Sequence, residues 1–323
     1  MHQKTICLLG GTGFVGQHLA HKLTQQGYRV RVLTRRRERH RGLIVNHAVT
    51  LIETDIHDAD ALHLQFKDVD VAINLVGILN ESDRKGAGFR RAHVELPEKI
   101  VEAALATGVR RLLHMSALNA DAGEQHSLYL KTKGEGEDLV HAAAASGLVV
   151  TSFRPSVIFG AGDSFFNRFA ALLKLSRPVF PLACPDSRFA PVYVNDVAEA
   201  MCRSLDEATG GERLQLCGPQ DYTLKELVIY TREQLGLRCM IAGLGDGLSR
   251  LQARILGSLP GKPFSLDNYY SLQQDSVCSD NALPTLGITP TPIAAVVPGY
   301  LANRTTRGHY DTFRRQSRRQ QVR

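Results

Sequence analysis

At 323 residues, 43% of them hydrophobic and 22% charged, the chain has material for one large α/β unit or two domains, and no apolar run approaches the roughly 18 residues that cross a bilayer. Its six cysteines are scattered without a CxxC pair, which excludes a zinc knuckle and a small-domain disulfide framework and points to a reducing compartment. The net charge of +7 sits almost wholly at one end: from Arg304 to Arg323 seven arginines face one acid, Asp311, so this arm carries +6 and the other 303 residues +1.

In chain order, the first apolar strand is expected over Thr5–Leu9, which leaves no space ahead of it for a signal or transit peptide unless one was removed beforehand. Gly10-Gly11-Thr12-Gly13-Phe14-Val15-Gly16 follows directly and opens a helix over Val15–Gln26. Glycines between a strand and a helix let the turn tighten and the backbone approach a pyrophosphate, whose charge meets free N–H groups and the positive end of the helix dipole. On that helix His18 and His21 have no cysteine or carboxylate partner nearby and are not read as metal ligands. A second strand over Arg29–Leu33 runs into Arg35-Arg36-Arg37, and Arg35 lies 19 residues beyond Gly16, where an acid would hold the ribose 2′-hydroxyl of NAD. A guanidinium there fits a 2′-phosphate or forms part of a solvated basic turn; the position favours NADP(H) over NAD(H).

The third strand, Val49–Thr54, ends before Asp55, an acceptor for the adenine amino group or a turn residue. A helix over Ala59–Phe66 leads to a fourth strand, Val71–Leu75, ending in Asn74-Leu75-Val76-Gly77, a loop beside the cofactor that brings no acid or base. A helix over Phe89–Thr107 and a fifth strand, Arg111–Met115, reach Ser116; the next helix, Ser127–Ser146, opens with Tyr129 and Lys133. Four residues apart on a helix, these two share a face, and an ammonium there lowers the phenol's pKa so that it exchanges a proton with a substrate oxygen. A sixth strand, Leu148–Phe153, closes the series. Alternating strands and helices of this kind predict an α/β fold, a doubly wound parallel sheet with its ligand crevice at the strand carboxyl ends.

Residues 1–155 are read as this Rossmann domain. After Arg154-Pro155 prolines become frequent and strands shorten, which marks a smaller mixed C-terminal domain over 156–303, with a return to the main sheet at about 189–217. Helical pieces are expected at Ser164–Leu175, Val194–Leu205, Leu224–Leu235, Leu248–Leu256 and near Pro292–Leu301, and 304–323 reads as a basic flexible tail. Phe165, Phe166 and Phe169 are spaced for core packing, and Asn195-Asp196 reads as a helix N-cap pair.

Gly10 to Gly16, Arg35, Asp55, Ser116, Tyr129 with Lys133, and Arg154-Pro155 together resemble the short-chain dehydrogenase/reductase superfamily in its extended or atypical branch. The stretches Tyr129 to Glu137, Arg154 to Gly160, Phe165 to Ala170 and Pro191 to Ala198 are similar, within it, to the dehydrogenase-like accessory subunit of respiratory complex I and its bacterial relatives; with Gly218 to Leu224 the resemblance runs from residue 4 to about 235. It implies NADP(H) binding by Gly10, Thr12, Gly13, Phe14, Val15, Gly16, Arg35, Asp55, Ile56, Leu75, Val76, Gly77, Lys133 and Pro155. It implies Tyr129 as proton donor, Lys133 as its pKa modulator and ribose anchor, and Ser116 as a hydrogen-bond donor to substrate. One position departs from the pattern: extended relatives usually carry the catalytic hydroxyl one place after Ser116, where this chain has Ala117.

Two functions are therefore expected to compete. One is an oxidoreductase acting on a carbonyl or quinone-like apolar substrate, linked to complex I or ubiquinone metabolism; the other is a non-catalytic, NADPH-stabilised scaffold of a respiratory or quinone-biosynthesis assembly. The basic tail suits an anionic membrane surface or an acidic protein partner. Nucleic acid is disfavoured, since only Tyr310 and Phe313 interleave the arginines. The expected location is cytoplasmic, peripheral at the inner face of a respiratory membrane.

Overall fold

A computed structural model of the chain describes residues 3–44, 46–80, 86–176, 178–259 and 263–301, so the predicted tail at 304–323 lies outside the described residues. The first half runs β1 (Thr5–Leu9), α1 (Phe14–Gln25), β2 (Arg29–Thr34), a short α2 (Arg41–Ile44), β3 (Val49–Glu53), α3 (Ala59–Phe66) and β4 (Val71–Asn74). Then come α4 (Ala87–Arg90), a π-helical turn over Arg91–Glu95, α5 (Leu96–Thr107), β5 (Arg111–Met115), α6 (Leu128–Ala142) and β6 (Val149–Pro155). The second half holds β7 (Ile158–Phe159), α7 (Phe165–Leu175), β8 (Val179–Leu182), β9 (Arg188–Phe189), β10 (Val192–Tyr193), α8 (Val194–Arg203) and β11 (Arg213–Leu216). It ends with β12 (Tyr222–Thr223), α9 (Leu224–Gln234), β13 (Met240–Gly243), α10 (Asp246–Gly257), α11 (Leu266–Ser271), α12 (Ala282–Thr285) and α13 (Ile293–Leu301).

Seven strands form one parallel sheet in the order β11-β6-β5-β4-β1-β2-β3. The central β1 is an unbroken apolar run, Ile6 to Leu9 fully buried, because a parallel strand covered on both faces has no polar side to alternate. Ile6 and Leu8 pack with Leu19 and Leu23 of α1 and with Val197 and Met201 of α8. On the other face Cys7 and Leu9 pack with Leu62, Phe66, Ile100 and Ala104. Chain connections leave β1 and β4 in opposite directions, so the crevice opens above their carboxyl ends, the usual ligand position in such sheets. β11 joins the sheet's edge beside β6, with α8 on α1.

The single helix predicted over Phe89–Thr107 is broken by the π turn. Pro97 has no N–H to return to the His93 carbonyl, and that carbonyl faces α6, where a side chain on Gly136 would put its Cβ 1.7 Å away. Asn195 and Asp196 do not cap α8. Asn195 meets His18 Nδ1 at 2.7 Å and donates to the Tyr193 hydroxyl at 2.8 Å, while Asp196 accepts from Thr291 N–H (2.7 Å) and hydroxyl (3.1 Å), so both fasten distant segments to the helix.

The cysteine reading is corrected as well: Cys217 and Cys278, 61 residues apart, form a disulfide. Their spacing carries no signature, since it is the return of β11 to the sheet and the path after α11 that bring them together. Cys7, Cys184, Cys202 and Cys239 are buried thiols. The scattered cysteines therefore no longer argue for a reducing compartment.

Candidate active site

The glycine turn is built by close approach. Gly10 has a left-handed φ of +78°, and a Cβ on it would lie 3.0 Å from Leu75 C and 3.1 Å from Val76 N, so the end of β1 lies against the loop after β4. A Cβ at Gly16 would fall 2.5 Å from Gly11 Cα and 2.6 Å from Gly10 O, so that α1 can start directly on the turn. Gly13 N donates to Gly10 O at 3.0 Å, and Gly13 caps α1 without a side chain. No acid stands in the first turn of α1, whose leading N–H groups and dipole are thus uncompensated by side chains.

Beyond β2 and β3 lies a cavity of about 530 Å³, lined by Arg35, Glu53, Asp55, His57, Ile78 and Arg91 among others. Two guanidiniums thus border it, the second supplied by the π turn. Asp55 accepts from His57 N–H at 2.9 Å and so forms the turn itself, while Glu53 accepts from Arg37 N–H at 2.8 Å. Burial, and then Arg91, holds the His57 imidazole below its ordinary pKa. Ile56 beside them is half-buried.

Tyr129 and Lys133, the residues read from the sequence as the proton-handling pair, lie on α6. Ser127 caps it by accepting from Leu130 N–H at 3.2 Å, and Asp267 of α11 accepts from Leu128 N–H at 2.6 Å and Tyr129 N–H at 3.4 Å. Lys133 is only 4% exposed; its Nζ donates to Met115 O at 2.8 Å and would stand 3.2 Å from a Cβ on Gly77. Burial, partly opposed by Glu137, lowers its pKa from 10.5 to about 8. Half-buried Tyr129 packs edge-on against His93, 5.6 Å between ring centres. Its phenol is pushed up from 10.0 to about 12 by burial and then by Asp267, which reverses the predicted direction: the cost of an enclosed phenolate outweighs the ammonium one turn away.

Ser116 is buried and donates to Glu137 Oε2 at 3.0 Å. Glu137, fully buried, also accepts from Ser152 and takes a forked contact from Arg154, Nη2 at 2.7 Å and Nε at 2.9 Å. Buried Ala117 follows, and Pro155 pairs with Leu216 inside the sheet, its carbonyl accepting from Leu118 N–H at 3.1 Å. Gly10 therefore meets Leu75 and Val76, and Gly77 meets Lys133, whereas the Ser116 hydroxyl is held by Glu137 and Pro155 by the sheet.

Four participants escaped the sequence reading: Arg91, His93, Glu137 and Asp267. His93 accepts from Ile78 N–H at 3.1 Å through Nε2 and meets the Thr132 hydroxyl at 3.0 Å through Nδ1, tying the β4 loop to α6. Burial, then Lys133, drops its pKa to about 2, so it is a neutral imidazole. Nothing but the glycines of Lys133-Gly134-Glu135-Gly136-Glu137 signals such packing: a Cβ on Gly134 would lie 2.3 Å from Ala122 N.

The model of the NAD dependent epimerase/dehydratase family matches residues 6–217. The mitochondrial NADH-ubiquinone oxidoreductase 40 kDa subunit of Neurospora crassa is 27% identical over 314 residues, covering 95% of this chain and 81% of that protein. A ceramide reductase of Caulobacter vibrioides is 36% identical over 207 residues, 62% of this chain and 61% of its own length. Among solved structures, an NADPH-dependent quinone oxidoreductase from Escherichia coli in complex with NADPH superposes with a TM-score of 0.72 at 20% identity, over 92% of this chain and 99% of that one, a likeness of fold.

Proposed function

The chain belongs to the NAD dependent epimerase/dehydratase family, and from that premise we propose that it is an NADP(H)-dependent reductase acting on a carbonyl or quinone-like oxygen of an apolar substrate. The observation that carries the reading is the glycine cradle at the uncompensated start of α1, with Arg35 and Arg91 bordering one end of the crevice and Lys133 the other. The turn fits a pyrophosphate because Gly10 and Gly16 pack backbone on backbone, so that α1 starts directly on the turn with no acid in its first turn, and the paired guanidiniums fit a 2′-phosphate. The nicotinamide, when bound, supplies hydride chemistry.

The chain's own residues do the rest. Lys133, fixed by Met115 O and reaching Gly77, would hold the ribose end of a bound cofactor. Tyr129 keeps its proton across the working pH range, since its phenol titrates at about 12, and gives it up only to an oxygen becoming basic as hydride arrives. His93 fixes the ring of Tyr129 from the side. Exposed Leu79 (53%) and Leu128 (41%) give the mouth an apolar rim, and the Caulobacter vibrioides relative is by name a ceramide reductase, which supports a lipid-like substrate. The arginine arm at 304–323 would hold the protein at an anionic membrane face or an acidic partner near such substrates.

The test is Tyr129→Phe, assayed as NADPH-dependent reduction of a short-chain ubiquinone analogue. Loss of the proton donor lowers the rate about 10²- to 10⁴-fold with NADPH affinity kept; an unchanged rate refutes the mechanism. The scaffold is favoured by one observation: the Ser116 hydroxyl is spent on Glu137, with Ala117 next in line. That reading expects NADPH to raise the melting temperature with no turnover in either protein.

A further inference from the structure

We propose that the outward face of α10, with the adjoining outer face of β8 and β13, seats the protein on the surface of an anionic lipid bilayer. Leu248, Leu251 and Ile255 are 58%, 50% and 56% exposed, and Leu259 just past the helix is 47% exposed. At about 100° per residue the first three fall within an arc of about 60°. The opposite side is packed: Ala253 is fully buried, and Ser249 accepts from Cys184 N–H at 3.1 Å and donates to Leu244 O at 3.2 Å. The apolar stripe is thus the face the fold leaves outside.

The stripe has a continuation and a charged margin. Gln252 on its flank donates to Pro181 O at 3.1 Å, which holds α10 against β8. There Val179 and Met240 are cross-strand partners and both exposed, at 39% and 62%. Exposed Arg250 and Arg254 border the stripe, exposed Arg238 precedes Met240, and no acid occurs from Gly247 to Leu259. An apolar face edged by arginines is the pattern of a helix lying in the interface, leucines among acyl chains and guanidiniums at the phosphates. At 12 residues α10 is about 18 Å long, and no described helix is long and apolar enough to cross a membrane, so the contact is peripheral.

Charge selects the lipid over a second copy of this chain, because a twofold contact through this face would set the same arginines against each other. The arm from Arg304 carries a further +6, which favours anionic lipid wherever the arm lies. α11 packs on α10 and, through Asp267, caps α6, so the seated face is one helix away from the crevice mouth. The inference goes beyond the reading of the crevice and does not depend on it.

The experiment is co-sedimentation of the full chain with vesicles of phosphatidylcholine alone and of phosphatidylcholine mixed with phosphatidylglycerol. Leu251→Gln/Ile255→Gln alters only exposed positions and is compared with the unaltered chain and with one ending at Asn303. The unaltered chain binds the mixed vesicles and releases with salt, and the double variant loses about ten-fold or more in partitioning, in the full chain and in the shortened one. Equal partitioning of the double variant overturns the proposal, as does a chain that binds neither vesicle. A dimer in gel filtration that the double variant dissolves also overturns it, by assigning the face to a second copy. NADPH titration of the same samples reports separately on the crevice.

Discussion

Replacing Lys133 with methionine is expected to make the protein more stable at neutral pH while weakening its hold on the cofactor. The ammonium is 4% exposed, and burial brings its pKa from 10.5 to about 8. At 1.36 kcal/mol per pKa unit, that difference corresponds to a destabilisation of about 3 kcal/mol by the charged form. Lys133 is a base whose folded pKa lies below its unfolded one. Between about 8 and 10.5 the unfolded chain binds more protons, so stability rises with pH through this window and the penalty is fully present below it. Methionine matches the stem in length but forfeits the hydrogen bond to Met115 O, a loss of about 1–2 kcal/mol. The variant is therefore expected to be about 1–2 kcal/mol more stable than the parent at pH 7 and about 0–1 kcal/mol less stable at pH 10. Urea unfolding followed by circular dichroism at both pH values measures the difference. A Lys133→Met protein less stable at pH 7, or a difference that does not change between the two pH values, refutes the assignment of a desolvated ammonium.

Gly16→Ala is expected to lower stability by about 1–3 kcal/mol, because its Cβ would meet backbone 2.5 Å away and α1 must shift; Gly13→Ala, whose nearest neighbour, Gly10 O, is 3.2 Å off, should cost less. Arg35→Asp should weaken NADPH about ten-fold or more and spare NADH in titration calorimetry, since a charge-assisted phosphate contact is worth about 1.5–3 kcal/mol; equal affinities for both cofactors in the parent count against the 2′-phosphate assignment. Arg154→Met leaves the fully buried Glu137 carboxylate without its cation and should cost about 3–5 kcal/mol in thermal or urea unfolding; a loss below about 1 kcal/mol would mean that Ser116 and Ser152 suffice to hold it.

The residues that read correctly from the sequence are those whose signal is local. β1 and β5 appear with the predicted bounds, β1 because a strand buried on both faces is written as an unbroken apolar run, whereas β5 carries a buried Arg111 and His114. Between them the glycine turn announces itself by composition and by its place between strand and helix. α3 was legible for the same kind of reason: Asp58 accepts from Asp60 N–H at 3.0 Å, a cap that lies within three residues of what it caps. Arg35, Tyr129 and Lys133 could be nominated because their spacing from those landmarks is fixed by chain geometry alone.

What the fold decided is everything that depends on partners far along the chain. That the phenol of Tyr129 titrates above rather than below its ordinary value turns on burial and on Asp267 of α11, which no spacing encodes. The hydroxyl of Ser116 looks available in a strand-end serine; only the meeting of α6 with β6 gives it to Glu137, 21 residues away. Arg91 reaches the cavity beside Arg35 through the π turn at Pro97, and Cys217 finds Cys278 through the return of β11. Periodicity identifies which face of a segment is apolar, as it does for α10, but whether that face is covered is settled by what the rest of the chain packs against it. Local propensity acts over a few residues, whereas burial, and with it each pKa and each buried ion pair of this crevice, is a property of the assembled layers.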